Sequence, residues 1–582
     1  MSNAPFEATT SPKPLRLWPG VAAAALVMLC RFALTTVFPE AKIWSVLGAF
    51  IGSLLIVVWW LGFSRTPWLE RLGALVLMGV GLFVTTRVVH ISIRTGMMGL
   101  MLFIYAVPAL SVALVGWAVV CGRLAPRPRR LALVGVTLLA CGMWTLLRTE
   151  GITGDGDAQL AWRWSKTPEE RLTDRTSEAQ KAPSVAAPIV AAPTAKSTAE
   201  WPGFRGPRRD GASHGPKIQT DWTTSPPVEL WRRPIGPGWS SFAVSGDLFY
   251  TQEQRGEHEL VACYRAATGE PVWTHEDPVR FWESNGGAGP RATPTLSGGR
   301  LYAFGATGLL NALDPATGAI AWSRQAVTDT GAHVPHWGFS GSPLVVGDVV
   351  IVYAGALVAY DRATGARRWV GQTNGVSYSS PHLMTLAGVP QVLQLNGIGA
   401  TSVAPADGAR LWENSWPGAA IVQPALTEDG DVLISTGGGA GGVGTRRLNV
   451  THGPGGWTVA ERWTSKGLKP YFNDYVVHGG HAYGFDGSIL ACIDLQDGKR
   501  KWKGGRYGAG QIILLPDQDL LLALSEEGDL ALVGATPNDF TELARRPAIK
   551  GKTWNHPVLT GDLLLVRNSE EMAAFRLALA NR

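Results

Sequence analysis

The chain has 582 residues, of which 46% are hydrophobic and only 17% charged, and it carries a formal net charge of +6. Such a length exceeds one ordinary domain. The positive excess gathers beside long apolar runs, with no interleaved aromatic-basic recognition motif, and this excludes nucleic acid as the partner it implies.

Residues 1–148 read as a membrane domain. Five apolar runs stand there: about Leu17 to Phe38, Ile43 to Phe63, Leu72 to Ile93, Met98 to Cys121 and Leu131 to Leu147. Each is near the roughly 17 to 25 residues that a helix needs to cross a bilayer. The first lacks a small-residue cleavage site of the usual kind and is expected to be retained as a span. Lys13, Arg16, Arg65, Arg71, Arg123, Arg127, Arg129 and Arg130 fall in alternate loops, whereas the opposite loops hold only Lys42 and Arg94. The positive-inside rule then puts the N-terminus in the cytoplasm, and an odd number of spans exports everything after Arg148. The expected location is a bacterial-type inner membrane, with the C-terminal part in the periplasm or outside. In the third run Arg87, His90 and Arg94 are spaced as i, i+3 and i+7. On one continuous helix they would share a face that suits a quinone head group or a lipid phosphate.

Residues 149–200 read as a linker. The stretch GDAQLAWRWSKTPEERL, with Trp162 and Trp164, is expected to form a small docked element. The following QKAPSVAAPIVAAPTAKSTAE is rich in Ala, Pro and Thr with little to bury, and is expected to be an extended tether.

From Trp201 onward one pattern returns. NALDPATGAIAW ends at Trp322, and related copies end at Trp273, Trp369, Trp412 and Trp502. Alternating apolar residues, a turn containing Thr-Gly or Asp-Gly and a returning strand ending in Trp make a hairpin. With the strand pair upstream of each, the unit is four antiparallel strands over roughly 40 to 50 residues, the period of a propeller blade. First strands start near Ser241, Thr293, Ser342, Ser380, Gln423, Asp474, Gln511 and His556, which predicts an eight-bladed β-propeller over residues 201–582. The last unit lacks a fourth strand, and VELWRRPIG around Trp231 is an orphan strand before the first. The N-terminal strand is therefore expected to complete the last blade. Cys263 and Cys492 occupy equivalent positions in distant blades, too far apart for a disulfide.

The repeat resembles the pyrroloquinoline-quinone (PQQ) type propeller repeat of quinoprotein dehydrogenases and of the outer-membrane-assembly lipoprotein of the BAM complex. WPGFRGPRRDG, Trp201 to Gly211, is similar to the lead-in of many bacterial propellers of this group. The interblade packing of the Trp residues is structural, so the resemblance speaks to fold first.

Chemistry is expected where each innermost strand begins, at the channel mouth. The sequences there, GWSS, PRAT, FSGS, YSSP, IVQP, FNDY, AGQI and WNHP, offer Trp239, Arg291, Trp337, Tyr378, Gln423, Asn473, Asp474, Gln511, Trp554, Asn555 and His556. Aromatic plates with one arginine, amides and a carboxylate suit a flat anionic ligand, and the same polar residues equally suit the satisfying of strand ends. PQQ is such a ligand, with calcium as the resemblance implies; the entries offer Trp239, Arg291, Trp337, Tyr378, Asn473, Trp554 and Asn555 to hold it and Asp474 as catalytic base or metal ligand. The vicinal cysteine pair and the long site-building insertions of quinoprotein dehydrogenases have no counterpart here. His333 and His336 lack a third ligand at metal spacing, and the glycine run Gly437 to Gly444 has no phosphate-loop Lys-Ser/Thr after it. The expected function is a membrane-anchored binding or scaffold module for an envelope protein or polymer. The alternative is a membrane-bound PQQ-dependent dehydrogenase that oxidises a sugar or alcohol and passes electrons to a membrane quinone.

Overall fold

The computed structural model describes residues 15–38, 41–172, 200–215, 217–438 and 441–580. The tether expected over residues 180–200 lies outside them except for Glu200. The chain divides into two compact units, Met1–Ile152 with Ala158–Ser165, and Thr153–Asp157 with Lys166–Arg582.

In the first unit four helices are long and apolar enough to cross a membrane: Trp18–Val37, Lys42–Phe63, Trp68–Val88 and Met101–Cys121. Small residues let the first two approach closely, since a Cβ on Gly52 would meet Val27 and one on Gly20 would meet the Trp59 ring. The fifth expected span is a helix, Pro126–Thr145, but Arg127, Arg129 and Arg130 lie within it, and it is not among those four. Glu70 pairs with Arg129 and Arg130 at that end. The third run departs from expectation. Its helix stops at Val88, and His90 caps a new short helix, Ile91–Thr95, by accepting the Ser92 N–H on Nδ1 at 3.2 Å. Arg87, His90 and Arg94 therefore do not share one helix face. The stretch from Leu147 forms a hairpin, Leu147–Ile152 with Ala158–Trp162, beyond which Trp162 and Trp164 stack at 5.1 Å.

The second unit is an eight-bladed β-propeller of four-stranded antiparallel sheets. Its blades start where the repeat places them, the first with Ala243–Ser245 and the last with Val558–Thr560. The orphan strand Val228–Pro234 pairs with Glu571–Arg576 as the outer strand of the last blade, so the ring is closed by both ends of the propeller chain.

The repeated Trp and turn glycine form one joint. Each Trp lies over the turn of the next blade and donates Nε1–H to a carbonyl there: Trp231 to Ala266 at 2.8 Å, Trp273 to Pro315 at 3.0 Å, Trp322 to Arg362 at 3.1 Å and Trp369 to Pro405 at 3.0 Å. The glycine is required twice over, as at Gly365, where φ is +69° and a Cβ would sit 2.6 Å from the Trp322 ring. Trp412 departs from this, bonding Gln391 of its own blade, because the next blade carries the longer hairpin Gly441–Gly453 with Gly456–Ser465. Cys263 and Cys492 are buried free thiols.

Candidate functional site at the channel

The residues that begin the innermost strands form a hydrogen-bonded belt. The Ser241 N–H donates to Thr293 Oγ1, the Thr293 N–H to Ser342 Oγ and the Ser342 N–H to Ser380 Oγ, each at 2.9 Å. Next, the Ser380 N–H donates to Gln423 Oε1 at 3.0 Å, and the Gln423 N–H to Asp474 Oδ1 at 2.6 Å. Ser241 Oγ donates back to the His556 carbonyl at 2.5 Å, which links blade 8 to blade 1. Strand starts in a closed ring expose N–H groups that need partners, and the neighbouring blade supplies them.

Asp474 is thus a belt residue. Its other oxygen lies 3.6 Å from Arg205 Nε, and the side chain is buried. Burial pushes its carboxyl up from the usual range, opposed by Arg205 and by the Gln423 N–H. Asn473 is buried and accepts the Tyr471 N–H at 3.3 Å. Asn555 is buried too, donating to the carbonyls of Ser240 at 2.7 Å and Gly238 at 3.2 Å. Gln511 donates to the carbonyls of Phe472 and Trp554.

The Arg291 side chain is buried and taken up by its neighbours. It pairs with Glu283 at 3.2 Å and donates to the carbonyls of Gly289 at 2.8 Å, Gly287 at 2.9 Å and Ala288 at 3.2 Å. The arginine expected to meet a bound anion is therefore neutralised from within.

The aromatic residues are the ones brought together at the mouth. Trp239 lies against Trp554 with centroids 4.8 Å apart, Trp554 against Phe472 at 4.8 Å, and Trp337 against Tyr378 at 4.9 Å. All five are half-buried. Trp239 Nε1 donates to the Gly286 carbonyl and Trp554 Nε1 to Glu526, so the indoles are fixed in orientation. Burial pushes the Tyr378 phenol up to about 12.

Sequence reasoning missed two groups here. Lys552 places Nζ 4.5 Å over the Trp554 ring and 5.3 Å over Trp239, and is the cation of the mouth. Its signal was available, two residues before the WNHP that begins at Trp554. The second is the segment Trp201–Gly211, which crosses the other end of the channel. Trp201 exchanges hydrogen bonds with Val244 of blade 1, Pro202 accepts from Leu296 of blade 2, and Arg209 donates to the Pro381 carbonyl of blade 4 at 2.9 Å. Arg205 donates to the Tyr475 carbonyl of blade 6 at 2.6 Å, and Gly211 accepts from Leu514 of blade 7 at 2.8 Å. WPGFRGPRRDG is the floor of the channel.

None of these aromatic pairs leaves an opening for a flat cofactor between its own two rings. A flat ring between two plates needs about 7 Å, twice an ordinary carbon contact, and the aromatic pairs are closed on each other. Among the described residues no group of three or more His, Cys, Asp or Glu is placed to hold a metal ion.

Known proteins bear on this fold. The family described as outer membrane protein assembly factor BamB matches residues 257–504. BamB of Yersinia pestis is 23% identical over 334 residues, covering 54% of this chain and 72% of that protein. Among solved structures, BamB from Moraxella catarrhalis is similar with a TM-score of 0.44 and 14% identity, covering 61% of this chain and 99% of that one. The quinohemoprotein alcohol dehydrogenase ADHIIG from Pseudomonas putida has a TM-score of 0.48 and 13% identity, covering 66% and 81%. The class is an eight-bladed propeller with apolar helices before it. Within the propeller, residues 257–504 carry the likeness to that family.

Proposed function

We propose that this protein is an inner-membrane-anchored propeller, exported from the cytoplasm, that works as a binding or scaffold module for an envelope protein or polymer. The observation that carries this reading is the division of labour in the channel. Polar side chains expected to do chemistry are held in the belt, in the floor or by Glu283, while Trp239, Phe472, Trp337, Tyr378 and Trp554 stay half-buried, Trp239 and Trp554 with Lys552 over their rings. Half-exposed aromatic clusters with a cation are what partner surfaces use as anchors. The relative's name, an outer membrane protein assembly factor, supports a protein partner.

The test uses the full chain in detergent and in cells. A photoreactive residue replacing Trp337 is expected to crosslink an envelope component, and to lose that crosslink when Trp239 and Trp554 are both Ala. PQQ with calcium is expected to leave the Trp fluorescence and dye reduction unchanged. Sugar- or alcohol-driven dye reduction that depends on PQQ would replace this reading with the dehydrogenase.

A further inference from the structure

The first unit contains a cavity of about 340 Å³ at the end of the helix Trp68–Val88, lined by Thr86, Arg87, Arg94, Gly99, Leu102 and Phe103. The break after Val88 and the turn Gly96–Gly99 together build it. Without the break, Arg87 and Arg94 would be carried along one rod; with it, both line the same hollow. The turn holds Met97 at φ 50°, Met98 at φ 57° and Gly99 at φ 85°. Two non-glycine residues in the left-handed region are strained by their Cβ atoms, and such strain persists where surroundings over-determine it, often at ligand sites.

No acidic side chain pairs with Arg87 or Arg94 among the described residues, and the one ring contact is Arg87 over Phe83 at 5.1 Å. Both arginines are exposed, as is Phe103, while Leu102 is buried. Position adds the rest. The helix has 21 residues, about 31 Å at 1.5 Å per residue, which matches the roughly 30 Å hydrocarbon core. Arg87, next to its last residue, therefore falls at the level of the headgroups.

We propose that this cavity binds the phosphate of an anionic membrane lipid, with Arg87 and Arg94 on the phosphate oxygens and Phe103 and Leu102 against the first part of the acyl chain. Two unpaired cations in one hollow favour phosphate over the uncharged ring of a quinone. The proposal rests on the membrane reading, which is checked separately by whether the protein sediments with membranes until detergent is added.

The detergent-solubilised full chain is titrated with dihexanoyl phosphatidylglycerol, with inorganic phosphate, with uncharged dihexanoylglycerol and with decylubiquinone, and bound species are counted by native mass spectrometry. Phosphatidylglycerol is expected to bind best, about tenfold or more weaker when both arginines are Ala, and to recover in Arg87→Lys with Arg94→Lys. Because both side chains are exposed, the Ala variant is expected to keep the wild-type melt, and the Lys variant guards against a folding defect. Inorganic phosphate binding as tightly as the lipid would remove the acyl wall from the site. Equal binding of phosphatidylglycerol to the Ala variant, or tighter binding of dihexanoylglycerol or decylubiquinone, would overturn the proposal.

Discussion

Arg205 of the channel floor and Asp474 of the sixth blade face each other in the protein interior, Nε 3.6 Å from Oδ2, and the same guanidinium donates to the Tyr475 carbonyl at 2.6 Å. Because Asp474 also accepts the Gln423 N–H, this one pair joins the floor to the belt.

Replacing Arg205 with Ala leaves a buried carboxylate without its cation, a change that costs about 3–5 kcal/mol. Asp474→Asn keeps an oxygen for the Gln423 N–H, and Arg205 keeps its carbonyls, so a smaller loss of about 1–3 kcal/mol is expected. Denaturant unfolding of the two variants checks the order. A wild-type midpoint for Arg205→Ala would mean that the floor carries no stability.

Trp231 is the closure in miniature. Its indole stacks on Phe249 at 5.7 Å, donates to Ala266 and lies against Gly269. Trp231→Ala is expected to cost about 3–5 kcal/mol, and deletion of residues 201–234 to leave an open ring that aggregates. Calorimetry is the measurement, and an unchanged cooperative melt for the deletion would place closure elsewhere.

Two buried groups give opposite pH trends. Glu259 accepts the Ala306 N–H, and burial raises its carboxyl from 4.5 to about 7. Between those values the folded state holds a proton that the unfolded chain has lost, so stability falls as pH rises, by about 3 kcal/mol in all. Burial, with Arg209 and Arg205 nearby, lowers the His382 imidazole from 6.5 to about 3. There the unfolded chain takes up the proton first, and stability is lost as pH falls from 6.5 toward 3. Unfolding free energies at several pH values, wild type minus Glu259→Gln and wild type minus His382→Gln, are expected to slope in these opposite directions. Flat differences would refute the burial argument.

Topology turns on the helix Pro126–Thr145. If it crosses the membrane after the four long apolar helices, the propeller is exported, and alkaline phosphatase fused after Arg582 is active. Its three arginines at one end suit the cytoplasmic boundary of a span. A silent phosphatase fusion together with a fluorescent cytoplasmic reporter at the same point would reverse the orientation.

The propeller was legible because its signal is local and repeated. Thr-Gly followed by Trp is at once a turn and an interblade joint, so the same physics writes the same letters in successive blades. The site was less so, because a side chain's partner is not written in its own motif. Glu283, eight positions before Arg291, pairs with it, and Arg205, some 270 positions before Tyr475, takes up Asp474. A residue's type showed what it could bind, and only the fold showed what it already bound. The break at His90 was hidden for a related reason, since the apolar run continues through it while the cap is a single imidazole nitrogen.

Closing the ring with both ends of the chain has a consequence for biogenesis. Arg232 meets Glu571 across 339 positions, and at about 5–20 residues per second the first strand waits roughly 20–70 s for its partner to be made. For that interval VELWRRP is a bare β-edge, the kind of surface that holding chaperones and stray strands both recognise.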